Sequence, residues 1–135
     1  MITHYIVVGL GGALGSIFRV ALSTILPSSV MGIPLQIMMI NLLGCFTIGI
    51  LSELINLHWS AADNIKYFLI PGFLGGFTTF SSFALEFGSL FEKDKFMLAF
   101  TYVILSVVLG LSMFFVGVKL IKICMPITPV TSQIK

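Results

Sequence analysis

The nine residues GGFTTFSSF, 75–83, combine two adjacent glycines, four hydroxyl side chains and three phenylalanines. Hydroxyl groups can donate hydrogen bonds to an anion, and an aromatic ring is electropositive at its edge. Phe80 and Phe83, at i and i+3, would project to one side of a helix that begins after the glycines. Most phenylalanines in an apolar segment only contact lipid, but the clustering with Gly, Thr and Ser distinguishes this pair. The pair is therefore a candidate anion contact.

The first half of the same segment should form a poor helix. Four residues there have low helix propensity: Pro71, Gly72, Gly75 and Gly76. Thr78 and Thr79 add side chains that hydrogen-bond locally to the backbone. We therefore expect the helix to break near residues 75–79. Broken backbone at membrane depth is tolerated only where it is buried in protein or lines a cavity, and its freed carbonyls are hard oxygen ligands for an alkali or similar cation.

Polar groups also lie inside the first two apolar segments. Arg19 is about seven residues, or roughly 10 Å of helix, inside the end of its segment. Its long side chain could reach the headgroups, or its charge could line a vestibule that attracts anions. Asn41 offers two donors and an acceptor, either for an interhelical hydrogen bond or for a pore. Gly11 and Gly15 form a GxxxG pattern, which favours close helix packing over phosphate binding.

Three residues in the fourth segment share one helix face at i, i+4 and i+8: Tyr102, Ser106 and Gly110. They form a thin stripe of two hydroxyls and a notch, although serine in a membrane helix often only satisfies its own backbone. Glu53 and Glu86 lie near segment ends. We expect both carboxylates to be solvated at the membrane surface, with a proton-carrying role as the alternative.

Composition then sets the class of protein. Only 9% of the 135 residues are charged and 58% are hydrophobic, whereas a soluble domain carries about 25% charged residues. The net charge of +2 is small and dispersed, which argues against a nucleic-acid partner. Cys45 and Cys124 lack CxxC spacing and are predicted to be small buried hydrophobes. His4 and His58 are isolated, so no metal site is expected from them.

Four apolar segments are long enough to cross a hydrocarbon core, which takes about 20 helical residues. The predicted helices cover about 4–26, 33–56, 64–91 and 96–122, with Pro34 in the first turn of the second. Residues 1–125 are thus predicted to form a single transmembrane domain. The polar tail 126–135 contains two prolines and is predicted to be disordered. The first segment lacks the positive n-region of a signal peptide.

The positive charges barely distinguish the two ends of these helices. With the N-terminus on one side, four lysines share that side: Lys66, Lys119, Lys122 and Lys135. The other side has Lys93 and Lys95, and Arg19 lies nearer to it. The positive-inside rule therefore gives only a weak preference. We expect the protein to insert both ways up.

The motif GGFTTFSSF, with Asn41 in INLLG and Arg19 in GGALGSIFR, closely resembles the Fluc/CrcB family of fluoride channels over residues 9–117. The resemblance implies an all-α fold of four transmembrane helices, with the third broken near its middle, in an antiparallel dual-topology homodimer. It implies passive export of cytoplasmic fluoride through a bacterial inner membrane, and no enzymatic activity.

The resemblance also assigns residues. It implies a sodium ion at the dimer centre held by backbone carbonyls at Gly75 and Thr78. It implies a fluoride pore formed by Phe80, Phe83, Asn41, Thr79, Ser82, Tyr102 and Ser106, with Arg19 in the vestibule. Some members carry a further hydroxyl where this chain has Gly110, which shortens the polar track by one donor.

Two other functions remain open on the residues alone. A small four-helix proton-coupled drug exporter would need a carboxylate deep in the membrane, whereas no Asp or Glu lies in the first segment. A non-transporting subunit of a membrane complex would need packing glycines but would have no reason for the cluster of Phe, Ser and Thr.

Overall fold

A computed structural model describes residues 2–56 and 63–125. Within them lie four helical spans that are long and apolar enough to cross a membrane, as predicted. The elements are α1 (Ile2–Ile25), β1 (Ser29–Val30), β2 (Ile33–Pro34), α2 (Gln36–Asn56), α3 (Asp63–Tyr67), a π-helical segment (Phe68–Leu74), α4 (Gly75–Phe77), α5 (Phe80–Glu92) and α6 (Phe96–Cys124). The predictions for His58 and for the tail 126–135 lie outside the described residues.

The connection between the first two spans is a short β-hairpin that the sequence analysis did not predict. Ser29 pairs with Pro34 and Val30 with Ile33 in antiparallel register. Met31 and Gly32, at φ 52° and 83°, form the two-residue turn, and positive φ at both positions suits a hairpin. The placement of Pro34 in the first turn of the second helix was therefore wrong, because α2 begins two residues later.

Glycines set the packing between the spans. Gly11 and Gly15 are buried, and a Cβ on either would run into the backbone of Phe68 or Phe73. The predicted packing role of this GxxxG pair is confirmed. A second contact of this kind joins α2 to α6, where Gly49 and Gly117 each leave no room for a Cβ against the facing helix. Small residues of this kind let helix backbones approach closely in lipid.

The third span, Asp63–Glu92, has irregular backbone in two places. The π-helical segment contains Pro71, whose missing N–H and bulky ring disfavour ordinary helical hydrogen bonding. Thr78 and Thr79 are extended, with φ/ψ of −83°/155° and −152°/118°. By contrast, α4 is helical through Gly75 and Gly76, where we expected the backbone to depart from helix. Gly76 instead packs against the backbone of Gly12, so its small size serves the contact with α1.

The described chain leaves much of its apolar surface uncovered. Two small buried clusters lie between the helices, one around Tyr102 and Ala99 and one around Ile40 and Phe77. Large apolar side chains on α6 face outward: Ile104, Val108, Leu111 and Phe115. A soluble monomer rarely exposes contiguous apolar patches of this extent, whereas a bilayer covers them. The protein is a multi-pass membrane protein.

Candidate functional site

Thr78 and Thr79 interrupt the third span, and we call these two residues the interruption. One side chain of α2 binds it. The amide of Asn41 donates from Nδ2 to the Thr79 carbonyl at 3.1 Å, and its Oδ1 accepts the Thr79 N–H at 2.9 Å. The side chain thereby replaces a helical partner for the backbone N–H of Thr79. This is the interhelical hydrogen bond that the sequence analysis weighed against a pore role. Because Nδ2 carries two hydrogens, one of them can still bind another group.

Thr79 starts the helix that follows the interruption. Its Oγ1 accepts the backbone N–H of Ser82 at 3.2 Å, which is the N-cap arrangement for α5. The same oxygen lies 3.2 Å from the hydroxyls of Ser81 and Ser82. Three hydroxyl groups therefore share the first turn of α5, next to the Asn41 amide. Such a group can offer donors in more than one direction because hydroxyl hydrogens rotate.

A positive charge lies on the opposite side of the interruption. Arg19 Nε donates to the Gly76 carbonyl at 3.2 Å, and Ser16 Oγ donates to the same oxygen at 3.4 Å. The guanidinium is thus bound to the end of α4, where helical carbonyls carry partial negative charge. The side chain is partly buried, so its stem is directed at the protein.

Two backbone carbonyls at the interruption have the chemistry of a cation ligand. Thr78 N–H and Oγ1 both donate to Leu74, and Thr79 N–H donates to Asn41. Ser82 N–H, the usual helical donor to Thr78, binds Thr79 Oγ1 instead. The carbonyl oxygens of Gly75 and Thr78 therefore accept none of the hydrogen bonds found among residues 2–56 and 63–125. No group of three His, Cys, Asp or Glu side chains that could hold a metal is found within these ranges. Carbonyl oxygens of this kind suit a hard monovalent cation.

Three aromatic rings continue from the interruption along α5 to α6. The Phe80 and Phe83 centroids are 5.4 Å apart and tilted by 37°, and the Phe83 and Tyr102 centroids are 5.2 Å apart and tilted by 31°. Phe80 is 81% exposed, whereas Tyr102 is fully buried. The row therefore leads from the open face of the chain into its interior.

Polar groups accompany the inner end of this row. The Tyr102 hydroxyl donates to Glu86 Oε2 at 2.5 Å. One turn further along α6, Ser106 Oγ is buried without a hydrogen-bond partner among the described residues. Leaving a buried hydroxyl unpaired costs free energy, so the Ser106 hydroxyl can bind the neighbouring Tyr102 hydroxyl or another group. At Gly110 the stripe ends against α2, because a Cβ there would lie 3.5 Å from Cys45 Sγ.

A cavity of about 410 Å³ opens beside the interruption. Its lining includes Asn41, Gly44, Thr78, Thr79 and Phe80, together with apolar side chains of α2 and the π-helical segment. It is a concave face open to the surroundings of the single chain. The structure thus gathers eight of the ten predicted site residues around the interruption and the row of rings. Ser106 lies one turn beyond Tyr102 on α6, and Arg19 binds the end of α4.

Comparison with known proteins decides the family. The family model described as CrcB-like protein, Camphor Resistance (CrcB), matches residues 6–118. The chain belongs to the CrcB family. Relatives named fluoride-specific ion channel FluC include one from Azobacteroides pseudotrichonymphae, 37% identical over 87% of this chain and 94% of that protein. Another, from Rhizobium etli strain CIAT 652, is 42% identical over 78% of this chain and 84% of that protein.

This CrcB-family chain also has site residues that the sequence analysis missed. Ser16 and Gly44 were not singled out, although Ser16 binds the end of α4 and a Cβ at Gly44 would run into the Thr78 methyl. The spacing of Ser16 on the face of Gly12 could have indicated it. The Gly44 contact depends on tertiary packing and had no local signal.

Three expectations about polar residues need correction. Glu53 is only 6% exposed and lies 3.9 Å from Lys122 Nζ, so it is not a solvated carboxylate. Glu86 is only partly solvated: it is half-buried, accepts the Tyr102 hydroxyl and also lines a cavity beside the β-hairpin. Cys124 is exposed on the single chain rather than buried, whereas Cys45 is partly buried between α2 and α6. The burial of these side chains depends on which helices pack together, and the sequence of one segment does not contain that information.

Proposed function

We propose that this CrcB-family protein is a fluoride-selective channel that lets cytoplasmic fluoride leave passively and thereby lowers its toxicity. It is a channel and not an enzyme. The observation that carries the proposal is the convergence of free donors beside an aromatic row at the Asn41–Thr79 contact. Relatives that share 36–42% identity with the chain are named as fluoride-specific channels.

The chemistry of fluoride explains why such a mixed lining is needed. Fluoride is small and strongly hydrated, so each water that it loses must be replaced by another donor. The spare N–H of Asn41 and the hydroxyls of Thr79 and Ser82 supply donors at the open end. The electropositive edges of Phe80 and Phe83 attract fluoride weakly as it moves between these donors. Weak, repeated contacts permit departure as well as binding, which conduction requires.

The inner part of the proposed pathway follows α6. Tyr102 packs on Phe83, and its hydroxyl can turn between Glu86 and a passing anion. The unpaired hydroxyl of Ser106 lies one turn further and is the next donor. Arg19 contributes positive charge near the vestibule while it holds α4 in place. Gly110 has no donor, so the pathway must leave the α6 stripe before it.

A second copy of the chain completes the site in this proposal. The open cavity beside Thr78 and Phe80 and the exposed ring of Phe80 would be covered by an antiparallel partner. An antiparallel homodimer requires both orientations in a bacterial inner membrane, which the weak lysine bias permits. Reporters fused to the C-terminus are expected to be active in both the cytoplasm and the periplasm. A signal from one compartment alone would reject this arrangement.

The carbonyls of Gly75 and Thr78 are proposed to hold a sodium ion at the centre of that dimer. Their oxygens fit this role because the described residues leave them without donors. A bound cation would raise the electrostatic potential for anions nearby. Purification and reconstitution with N-methylglucamine in place of sodium is expected to weaken the dimer and reduce fluoride flux. Unchanged assembly and flux in rigorously sodium-free buffer would exclude the ion.

The cellular role follows from acid–base chemistry. Neutral hydrogen fluoride crosses membranes in acid surroundings and dissociates in the cytoplasm, where the anion is trapped. A channel lets the anion leave down its gradient without a coupled energy source. Expression in a fluoride-sensitive bacterium that lacks its own exporter is expected to restore growth in fluoride, most strongly at acid pH. Failure to restore growth, with protein present in the membrane, would contradict this role.

A further inference from the structure

A second cavity lies at the end of the bundle that carries the β-hairpin. Its volume is about 350 Å³, and its polar lining consists of Ser28, Ser29, Glu86, Ser89, Lys93 and Lys95. We call it the lysine cavity. It is formed where the hairpin meets the last turns of α5. Glu86 lies in its wall and also binds Tyr102, so the cavity adjoins the inner end of the aromatic row.

The charge of this cavity cannot be judged from the sequence. Residues 92–95 read Glu-Lys-Asp-Lys, and their charges cancel. In the fold, Lys93 and Lys95 line the cavity, whereas Glu92 and Asp94 do not. Asp94 adopts φ 58°, a left-handed turn conformation, and borders a separate depression on the start of α6, which Lys95 also lines. The cavity therefore has two ammonium groups against one carboxylate, and that carboxylate already accepts the Tyr102 hydroxyl.

Of the three lysines described at the far end of the bundle, two have an acidic partner, whereas Lys119 has none within residues 2–56 and 63–125. At the far end, Lys66 lies 3.9 Å from Asp63 and Lys122 lies 3.9 Å from Glu53. Lys93 and Lys95 form no ion pair with any residue in 2–56 or 63–125. No acid within those ranges therefore lies within ion-pairing distance of either ammonium group, and hydroxyl groups lie beside them in the cavity.

We propose that the lysine cavity is an anion-collecting mouth that raises the local fluoride concentration before the ion reaches Tyr102 and Phe83. An excess of one sign of charge in a cleft raises the local concentration of the opposite ion and its rate of entry, and here two ammonium groups face one carboxylate. The attraction acts through water, so salt screens it: the Debye length is about 30 Å at 0.01 M and about 3 Å at 1 M ionic strength. This inference rests on the proposed channel function and adds the route by which the anion reaches the pore.

The test is the ionic-strength dependence of fluoride current in the double variant Lys93→Gln, Lys95→Gln. With low millimolar fluoride in neutral-lipid bilayers at about 0.01 M ionic strength, we expect current about three-fold below that of the unaltered protein. In about 1 M of a salt with a bulky impermeant anion, the two currents should converge. The matched control, Lys66→Gln with Lys119→Gln, removes the same charge outside the cavity and should lose clearly less current at low salt, because the ammonium groups that line the cavity are kept.

Three results would overturn the inference and leave the channel function standing. The double variant could carry normal current at low salt, its deficit could persist unchanged at high salt, or the control pair could lose as much current. A fourth arm adds anionic phosphatidylglycerol to the bilayer. A deficit that appears only with this lipid would show that the lysines bind headgroup phosphates rather than collecting aqueous anions, which also rejects the proposal. If the unaltered protein carries no fluoride, the proposed function itself fails.

Discussion

Replacing Phe80 with isoleucine should reduce fluoride efflux by about tenfold or more while the protein still assembles. Isoleucine keeps an apolar side chain at the first residue of α5 but removes the electropositive ring edge beside Asn41 and Thr79. A transfer barrier raised by about 1.4 kcal/mol is enough for a tenfold loss of rate. The ring is 81% exposed on the single chain, so its loss leaves no buried void within that chain.

The matched control is Phe115→Ile on α6, where the ring is 65% exposed on the outer face. The two variants lose the same ring, and only Phe80 borders the cavity beside the interruption. Initial efflux rates from liposomes, with size-exclusion chromatography of both variants, make the comparison. Normal fluoride efflux in Phe80→Ile would show that the Phe80 ring does not contact the ion. Equal losses of efflux in both variants would show that the effect is not specific to the ring beside the cavity.

Substituting Gly76 with alanine should destabilise the fold more than the same substitution at Gly75, the other glycine of α4. A Cβ at Gly76 would run into the carbonyl oxygen of Gly12 and lie within about 3 Å of its other backbone atoms. Backbone cannot swing aside as a flexible side chain can, so α1 and α4 must separate. Overpacking of this kind costs about 1–3 kcal/mol. The shift should also disturb Arg19 and Ser16, which bind the Gly76 carbonyl.

Gly9→Ala is the control for this prediction. It lies on α1, and no atom lies within 4 Å of the position of its Cβ. Alanine there should leave stability unchanged or raise it, because alanine is the better helix former by about 1 kcal/mol. Thermal unfolding in detergent, followed by size-exclusion chromatography, compares the two. A Gly76→Ala protein as stable as Gly9→Ala would show that α1 and α4 do not pack as closely as described.

Much of the fold could be predicted because a bilayer constrains it so strongly. Apolar length alone predicts the four spans, and α1 and α6 begin and end within about two residues of expectation. The hairpin was missed because its turn depends on positive φ at Met31, a residue with little preference for it. A non-glycine residue in that conformation depends on tertiary context, which a propensity reading lacks.

Helix propensity alone does not predict which residues leave the helix in the third span. Gly75 and Gly76 have low helix propensity, yet they are helical, because packing against α1 outweighs the entropy that glycine loses. The extended residues are Thr78 and Thr79, where Asn41 from another span replaces the helical partner. The extended residues lie within the expected range 75–79, but which residues of that range leave the helix depends on a contact between residues 38 apart. The pairing of Tyr102 with Glu86 has the same origin.

The placement of Lys93 and Lys95 in one cavity also depends on tertiary structure. Their charges cancel against their sequence neighbours, and only the direction of the turn separates them. Residue counts along the chain therefore describe the local electrostatic potential poorly. A cavity that gathers Lys93 and Lys95 beside Glu86 can be recognised only after α5, α6 and the hairpin are placed together.

The most direct test of a fluoride-selective channel is anion efflux from liposomes that contain only the purified protein. The vesicles are loaded with equal concentrations of fluoride and chloride, and ion-selective electrodes follow both anions after the membrane is made permeable to potassium. We expect rapid, protein-dependent fluoride release with chloride retained, because hydroxyl, amide and ring-edge donors suit the small anion. No fluoride release, or chloride release at the same rate, would contradict it.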